Sequence, residues 1–361
     1  MPDYNYVFGR MRSEKTIAEI PCYGTYCDLE LNVGGRLDCS FNLDQTGKRN
    51  QDLLDATIPG ESWVVVIRDG KPIWGGFVWS RVYQSQSKSM QLFSESWEQY
   101  PTHQLVLSTV EAFDEQRNVF VSLWSHMMAV PGRDVNIILP PATFPTVKLK
   151  SSSAINTDFR WYSELMSELS DAADGFDWIV DIIPDGPYFR KTLRVGYPTI
   201  GSANSSGLTF DYPGQILNYY ATESMSAAAT NVFTLGSGQG SEMLVHESTQ
   251  DLMIAQGFPR WDKTVSRKDV SDFFNIDPVG IQEGLRRRPP MLTIKPSMKG
   301  DLSPDFGDWG IGDACTLAIK DTRFPEGREV ETRIVKWTLN PQTSTNPDEY
   351  TVLFSTDGED E

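Results

Sequence analysis

The side chains able to do chemistry are few and scattered. The 361-residue chain holds three histidines, His103, His126 and His246, and no two lie within a helical turn or across a tight hairpin from each other. Local spacing therefore sets up neither a base–nucleophile pair nor a metal pair. There is no His-Glu-x-x-His, and Cys22, Cys27, Cys39 and Cys315 contain no Cys-x-x-Cys, so zinc spacing is missing too. The cysteines read as reduced core thiols of a protein made in the cytosol, with room for one disulfide. His126, beside Trp124 and Met127 in a helical pattern, reads as a packed helix residue.

Carboxylates are plentiful. Asp171, Asp174, Asp177, Asp181 and Asp185 gather around one helix-to-strand junction, and with ten tryptophans they raise the question of a glycosidase. That reaction needs two carboxylates facing each other across a sugar cleft, a separation that clustering in sequence does not set. Asp174 and Asp185 adjoin Gly175 and Gly186, as turn residues do, and Asp177 and Asp181 alternate with Trp178 and Val180 on the expected exposed face of a strand. The D-x-D-x-D-G order of a calcium loop is absent. Gly236-Ser237-Gly238-Gln239-Gly240 follows a strand as a phosphate loop would, but no Lys-Ser or Lys-Thr comes after it, and it lacks the serine of a nucleophile elbow. It reads as a flexible connection. We expect no catalytic, cofactor-binding or metal-binding residue, and no enzyme.

The remaining candidates bind rather than react. Arg286, Arg287 and Arg288 precede Pro289-Pro290, where cations suit the C-terminal end of a helix; as a patch they would instead meet a partner. Most tryptophans alternate with polar residues in strands and read as core. Trp261 and Trp309 lie among proline, glycine and aspartate in loops, which makes them the expected interface anchors.

Several elements must position these residues. Residues 1–105 read as β-structure. Cys27, Leu29, Leu31 and Val33 alternate with polar neighbours, Gly34-Gly35 turns the chain, and Leu37, Cys39, Phe41 and Leu43 alternate again. A second hairpin joins Trp63–Ile67 to a strand through Phe77, Trp79 and Tyr83, with Asp69-Gly70 in its turn, and Met90 and Leu92 mark another strand. From Asp114, a suitable N-cap, Val119, Leu123 and Met127 share a helical face as far as Pro131-Gly132. A second helix is predicted over Phe159–Ala173 with Gly175 as its cap, then strands at Trp178–Ile183 and Thr192–Tyr197. Strands return at Leu208–Tyr212 and Val232–Leu235. Residues 240–290 look polar and helical, over 242–256, 268–274 and 278–288, and strands resume from Leu292 to Phe354.

One internal likeness stands out. GESWVVVIRD (60–69) and GDACTLAIKD (312–321) align without a gap. Downstream, Trp79 precedes Leu92-Phe93-Ser94 as Trp337 precedes Leu353-Phe354-Ser355. Two related β-modules in one chain would explain both matches; the period is too long for a solenoid.

Charge limits the partners. The chain carries 49 acidic and 32 basic side chains, net −17, which argues against a broad basic face for nucleic acid or anionic lipid. The longest apolar stretches, Trp63–Ile67 and, broken by Asn136, Val135–Leu139, are far short of the roughly 20 residues needed to cross a bilayer, so no membrane insertion is expected; nor does the N-terminus look like a signal peptide. Residues 206–361 hold 24 acids and 14 bases, yet 240–290 within them hold 8 and 7.

The Trp-rich hairpin Ile73-Trp74-Gly75-Gly76-Phe77-Val78-Trp79, with Gly257-Phe258-Pro259-Arg260-Trp261-Asp262, Trp309-Gly310-Ile311-Gly312-Asp313 and Arg333-Ile334-Val335-Lys336-Trp337, resembles the minor tail proteins of long-tailed phages that infect actinobacteria, of the tail-tip or baseplate hub family. The resemblance spans most of the chain through short motifs. It implies a mainly β fold with α+β parts: a first tube-like β-barrel or sandwich over 1–105, an α+β domain over 106–205, a discontinuous second barrel over 206–240 and 290–361, and a reduced helical insertion over 241–289. It further implies a structural virion protein at the tail tip, a homotrimeric hub that joins the tail tube to the adsorption apparatus. Its partners would be distal tail and tail tube proteins, the tape measure protein, and other minor tail proteins or fibres. Phage DNA would pass without sequence-specific binding, and no cofactor is implied. Acidity should line such a channel, and the near-neutral insertion should face a protein. The competing classes are a cell-wall glycosidase or hydrolase of the tail tip and a carbohydrate-binding adsorption module.

Overall fold

The computed structural model describes residues 2–13, 15–44, 50–172, 175–186, 188–202, 207–226, 228–267, 273–288, 291–299, 302–341 and 348–354. The chain forms two compact units, Met1–Asn218 with Ser297–Leu353 and Tyr219–Pro296 with Phe354–Glu361. It is mainly β, as expected.

The first segment supplies β1 (Tyr4–Arg10), β2 (Thr16–Ile20), β3 (Tyr23–Glu30), β4 (Arg36–Asn42), the short helix α1 (Asn50–Ala56), β5 (Ser62–Arg68), β6 (Lys71–Gln84) and β7 (Ser89–Ser96). Both expected hairpins are present: β3 pairs with β4, Cys27 opposite Leu37, and β5 pairs with β6, Trp63 opposite Phe77. Asp69 and Gly70 both take positive φ, 50° and 78°, the geometry that lets a two-residue turn follow the strands' twist. Gly75 and Gly76 are required by close packing. A Cβ at Gly76 would lie 2.0 Å from the Glu95 carbonyl oxygen, and one at Gly75 would lie 2.5 Å from Ile182.

A 3-10 turn at Trp97–His103 leads into β8 (Val110–Glu115), α2 (Gln116–Met128), β9 (Ile137–Ile138), β10 (Leu149–Ala154), α3 (Tyr162–Ser170), β11 (Asp177–Asp185) and β12 (Tyr188–Gly196). Both helices occur where periodicity put them, but α2 starts later. Asp114 stays in β8, because that strand pairs with β10 as far as Glu115 opposite Leu149. Glu115 is the actual N-cap, accepting from the Arg117 and Asn118 backbone N–H groups. The division at 105/106 does not separate two cores. Val65 and Phe77 of the sheet share one buried cluster with Phe120 and Trp124 of α2, Leu165 of α3 and Trp178 of β11.

The chain then runs through β13 (Thr209–Tyr212), β14 (Ile216–Ser224), β15 (Asn231–Leu235), β16 (Val245–Thr249), α4 (Asp251–Ala255), β17 (Asp262–Ser266) and α5 (Phe273–Arg286). It returns in β18 (Met291–Lys299), β19 (Ala314–Ile319), β20 (Arg328–Asn340) and β21 (Glu349–Phe354). The 241–289 segment has helices but is not wholly helical, since β16 and β17 flank β15 in a three-stranded sheet. Its strands are short and polar on their open faces, which hides them from a hydrophobic count. In the smaller unit α5 packs very close to β16. A Cβ at Gly280 would fall 2.1 Å from the His246 ring, and one at Gly284 would fall 2.2 Å from Ser248 Oγ. The expected helix over 268–274 lies largely outside the described residues.

The main sheet runs β14-β18-β21-β20-β3-β4-β7-β6-β5-β1-β2, with β13 and β19 branching from β20. Among the described residues no ladder joins its two ends, and no closed barrel is found.

Candidate functional site

Every imidazole is placed singly. His103 lies 2.7 Å from Glu95 Oε2 and stacks on Trp79 at 4.1 Å, His126 meets the Tyr162 hydroxyl and Ser108, and His246 lies 2.8 Å from Asp277 Oδ1. The acidic cluster is spread over structural tasks. Asp177 is buried rather than exposed: it accepts from the Ile200 N–H at 3.0 Å and pairs with Arg333. Both faces of β11 are covered at its start, which strand alternation does not foresee. Asp181 holds Arg194 at 2.7 Å and Asp185 holds Arg190 at 2.8 Å. Asp171 closes α3, and Asp174 lies outside the described residues. Among the described residues no group of three or more His, Cys, Asp or Glu side chains is arranged to hold a metal ion. Burial pushes the Cys315 thiol up to about 12, far from a reactive thiolate at neutral pH. The Gly236–Gly240 loop is a tight bend between β15 and β16: Gly236 N–H donates to Leu244 O, and Leu244 N–H to Ser237 O.

The binding candidates divide. Trp261 is 53% exposed, as an interface anchor requires. Trp309 is not: it is buried against Phe306, Phe210 and Tyr350, because its loop folds back over the sheet. Arg287 pairs with Glu283 one turn earlier in α5, and Arg267 Nε donates to the same carboxylate at 2.9 Å. Arg288 is half-buried, and the Arg286 side chain lies outside the described residues. The arginine run is therefore not a uniform exposed patch. Of the acids in 347–361, Asp348 is buried, Glu349 accepts from Ser297 at 2.6 Å, and the others lie outside the described residues.

The internal likeness is structural as well. β5-β6-β7 and β19-β20-β21 are adjacent strands in the same order, and the matched residues Trp63 and Cys315, and Val65 and Leu317, are all buried. The Leu-Phe-Ser match is out of register. Leu92 is buried in β7, whereas Phe354 and not Leu353 is buried in β21. A one-residue slip turns a side chain to the opposite face, so these triplets coincide in letters only. Arg68 and Lys320 also part ways, one buried and the other exposed.

Two polar knots hold the modules. Arg68 Nε lies 3.1 Å from Asp348 Oδ2, its Nη1 donates to Phe306 O at 2.8 Å, and Tyr4 donates to Asp348 at 2.7 Å. Where β20 meets β3, Lys336 Nζ lies 2.7 Å from Glu30 and 3.5 Å from Asp28. Burial alone would lower the Lys336 pKa, but these carboxylates raise it.

Glu98 supports a pH test. Its carboxylate is buried and accepts from the Val180 N–H at 2.7 Å, and burial pushes its pKa above the ordinary value more than its hydrogen bonds pull it down. A carboxyl raised in the folded state favours folding when protonated, and that contribution is lost as pH rises through the folded pKa. Glu98→Gln, a neutral isostere, should raise the melting temperature at neutral pH. The gain should vanish at about pH 4 and below, near the unfolded pKa. A gain of equal size at both pH values in thermal melts would refute the assignment.

No family model matches the chain. A curated nucleoside triphosphate pyrophosphatase of Caulobacter vibrioides is 34% identical over 88 residues, 24% of this chain and 41% of that protein. The match thus spans less than half of that relative. Solved structures match over nearly the whole chain. The 43 kDa tail protein of prophage MuSo2 from Shewanella oneidensis has a TM-score of 0.63 at 10% identity, covering 98% of each chain. Prophage tail protein gp18 from Listeria monocytogenes has 0.59 at 11%, covering 98% of this chain and 95% of that one. The tail protein from Neisseria meningitidis has 0.58 at 12%, covering 98% of each. The chain has the fold of these phage tail proteins.

Proposed function

We propose that the chain is a structural subunit of a phage tail tip, a hub that assembles as a homotrimer, joins the tail tube to the adsorption apparatus and surrounds the channel for DNA. The observation that carries this reading is the duplicated β5-β6-β7 and β19-β20-β21 meander, set edge to edge in one sheet through β20 and β3. Three copies would present six related modules in a ring, which suits a sixfold tube above it. On this reading residues 1–105 and 206–240 with 290–361 carry the ring-forming modules, except that β15 pairs with β16 and β17 of the 241–289 segment, and 106–205 and 241–289 lie between or outside them. The neighbours would be distal tail and tube proteins, the tape measure protein, and further minor tail proteins or fibres.

A structural role agrees with the site. The clustered carboxylates Asp177, Asp181 and Asp185 are committed to Arg333, Arg194 and Arg190, and the net charge of −17 would keep DNA sliding rather than bound. Immunogold labelling of particles with antibody to this chain should mark one end of the tail. Label on the head or along the tail shaft, or wall-glycan cleavage by the purified chain, would overturn the proposal.

A further inference from the structure

Two strand sets in the main sheet have the same order, β3-β4-β7-β6-β5 and β14-β18-β21-β20-β19. Inside one chain the second set joins the first by β20 against β3, antiparallel, with Trp337 opposite Leu29 and Leu339 opposite Cys27. The equivalent edges at the far ends are the last part of β6 and β14. Among the described residues, β6 beyond Phe77 pairs with β7 on one side and with no strand on the other, although the Gly60 N–H donates to Val78 O and Arg81 Nη1 donates to Leu54 O at 2.6 Å. β14 is an end strand.

Both edges carry large apolar side chains into solvent: Trp79, Val82 and Tyr83 on β6, Leu217 and Tyr220 on β14, with Tyr220 74% exposed. Trp79 is 46% exposed, whereas its counterpart Trp337, lying where β3 pairs with β20, is only 4% exposed. Trp337 packs edge-on against Phe306 at 5.0 Å, whereas Trp79 stacks on His103 and stays half-exposed beside the open edge. Long unpaired strand edges bearing apolar groups are sites of strand addition.

We propose that β14 of one copy adds antiparallel to residues 79–84 of a second copy, repeating between copies the joint that β20 and β3 make within one. This rests on the hub reading and names the surface through which the copies meet. Aligning Thr25-Tyr26-Cys27-Asp28-Leu29-Glu30 with Asn218-Tyr219-Tyr220-Ala221-Thr222-Glu223 sets the register: Thr222 opposite Trp79, Ala221 opposite Ser80, Tyr220 opposite Arg81. The joint is head-to-tail, so each copy keeps one edge of each kind open until a ring closes.

The test uses the full chain. Ser80→Cys with Ala221→Cys puts two thiols on opposed residues, within reach of a disulfide in an antiparallel pair. After mild oxidation the double variant should run as a covalent trimer on a non-reducing gel, while each single variant and the parent run as monomers. Tyr220→Glu should turn the light-scattering mass from trimer to monomer with an unchanged circular dichroism spectrum, and the melting temperature should lose its dependence on protein concentration. A light-scattering trimer that gives no cross-link from Ser80→Cys with Cys at 220, 221 or 222, or that survives Tyr220→Glu, overturns the joint and leaves the hub reading standing. A chain that stays monomeric at the highest concentration reached, without cross-links, overturns both.

Discussion

Arg68→Ala should cost the larger unit about 3–5 kcal/mol, the range for removing one partner of a buried ion pair. Arg68 is 4% exposed and Asp348 is 3% exposed, so the alanine takes the guanidinium away from a buried carboxylate that the Tyr4 hydroxyl also holds. The Phe306 carbonyl also loses its donor. At roughly 2 °C per kcal/mol for a unit of this size, the melting temperature should fall by about 6–10 °C. The effect reaches assembly as well, because Arg68 ends β5 of the first module while Phe306 and Asp348 belong to the second. Arg68→Met with Asp348→Asn should recover much of the loss, since the second change removes the buried charge. Thermal and denaturant melts of the three proteins check this. A single variant within about 1 kcal/mol of the parent, the usual worth of a surface pair, would show that the knot is not buried in solution.

Glu115→Ala should be comparably damaging for a different reason. The side chain is fully buried, caps α2 through the Arg117 and Asn118 N–H groups, and holds Arg117 Nε at 2.9 Å. Losing the cap costs about 0.5–2 kcal/mol. The guanidinium left between Phe144 and Tyr197 keeps the Pro145 carbonyl at 2.9 Å but loses its carboxylate, which brings the expected total to about 3–5 kcal/mol. Glu115→Gln keeps an acceptor for the helix but not the charge, so it should fall between parent and alanine. Hydrogen exchange should show protection lost first in α2, then in the strands β5 and β6 that share its core. Full protection of α2 in the alanine variant would sink the argument.

Much of the local structure was legible. Alternation located β3 to β7, Asp69-Gly70 located a turn, and the spacing of Val119, Leu123 and Met127 located α2. Its N-cap was misplaced by one residue, because a strand pairing with β10 held Asp114 and only the partner strand reveals that. The strands β16 and β17 were missed because short, half-polar strands carry little periodicity. Trp79 and Trp309 were both assigned the wrong side. A bulge in the β6–β7 ladder between Val78 and Ser80 leaves Trp79 outward, and a loop closing on itself takes Trp309 inward. Both events depend on residues distant in sequence.

By itself the sequence determined the mainly β class, the two helices of the middle segment, the duplicated module and the thin catalytic inventory. Each follows from patterns within about ten residues, or from residue types alone. Tertiary structure decided what each pattern is for. The matched Arg68 and Lys320 look interchangeable in the alignment, yet one is buried on Asp348, a carboxylate 280 residues away, and the other is exposed. Likewise Trp337 and Trp79 share a place in the repeat, yet Phe306 packs over Trp337 while the bulge between Val78 and Ser80 leaves Trp79 outward. Local periodicity states which face wants to be covered, and only the folded chain states what covers it.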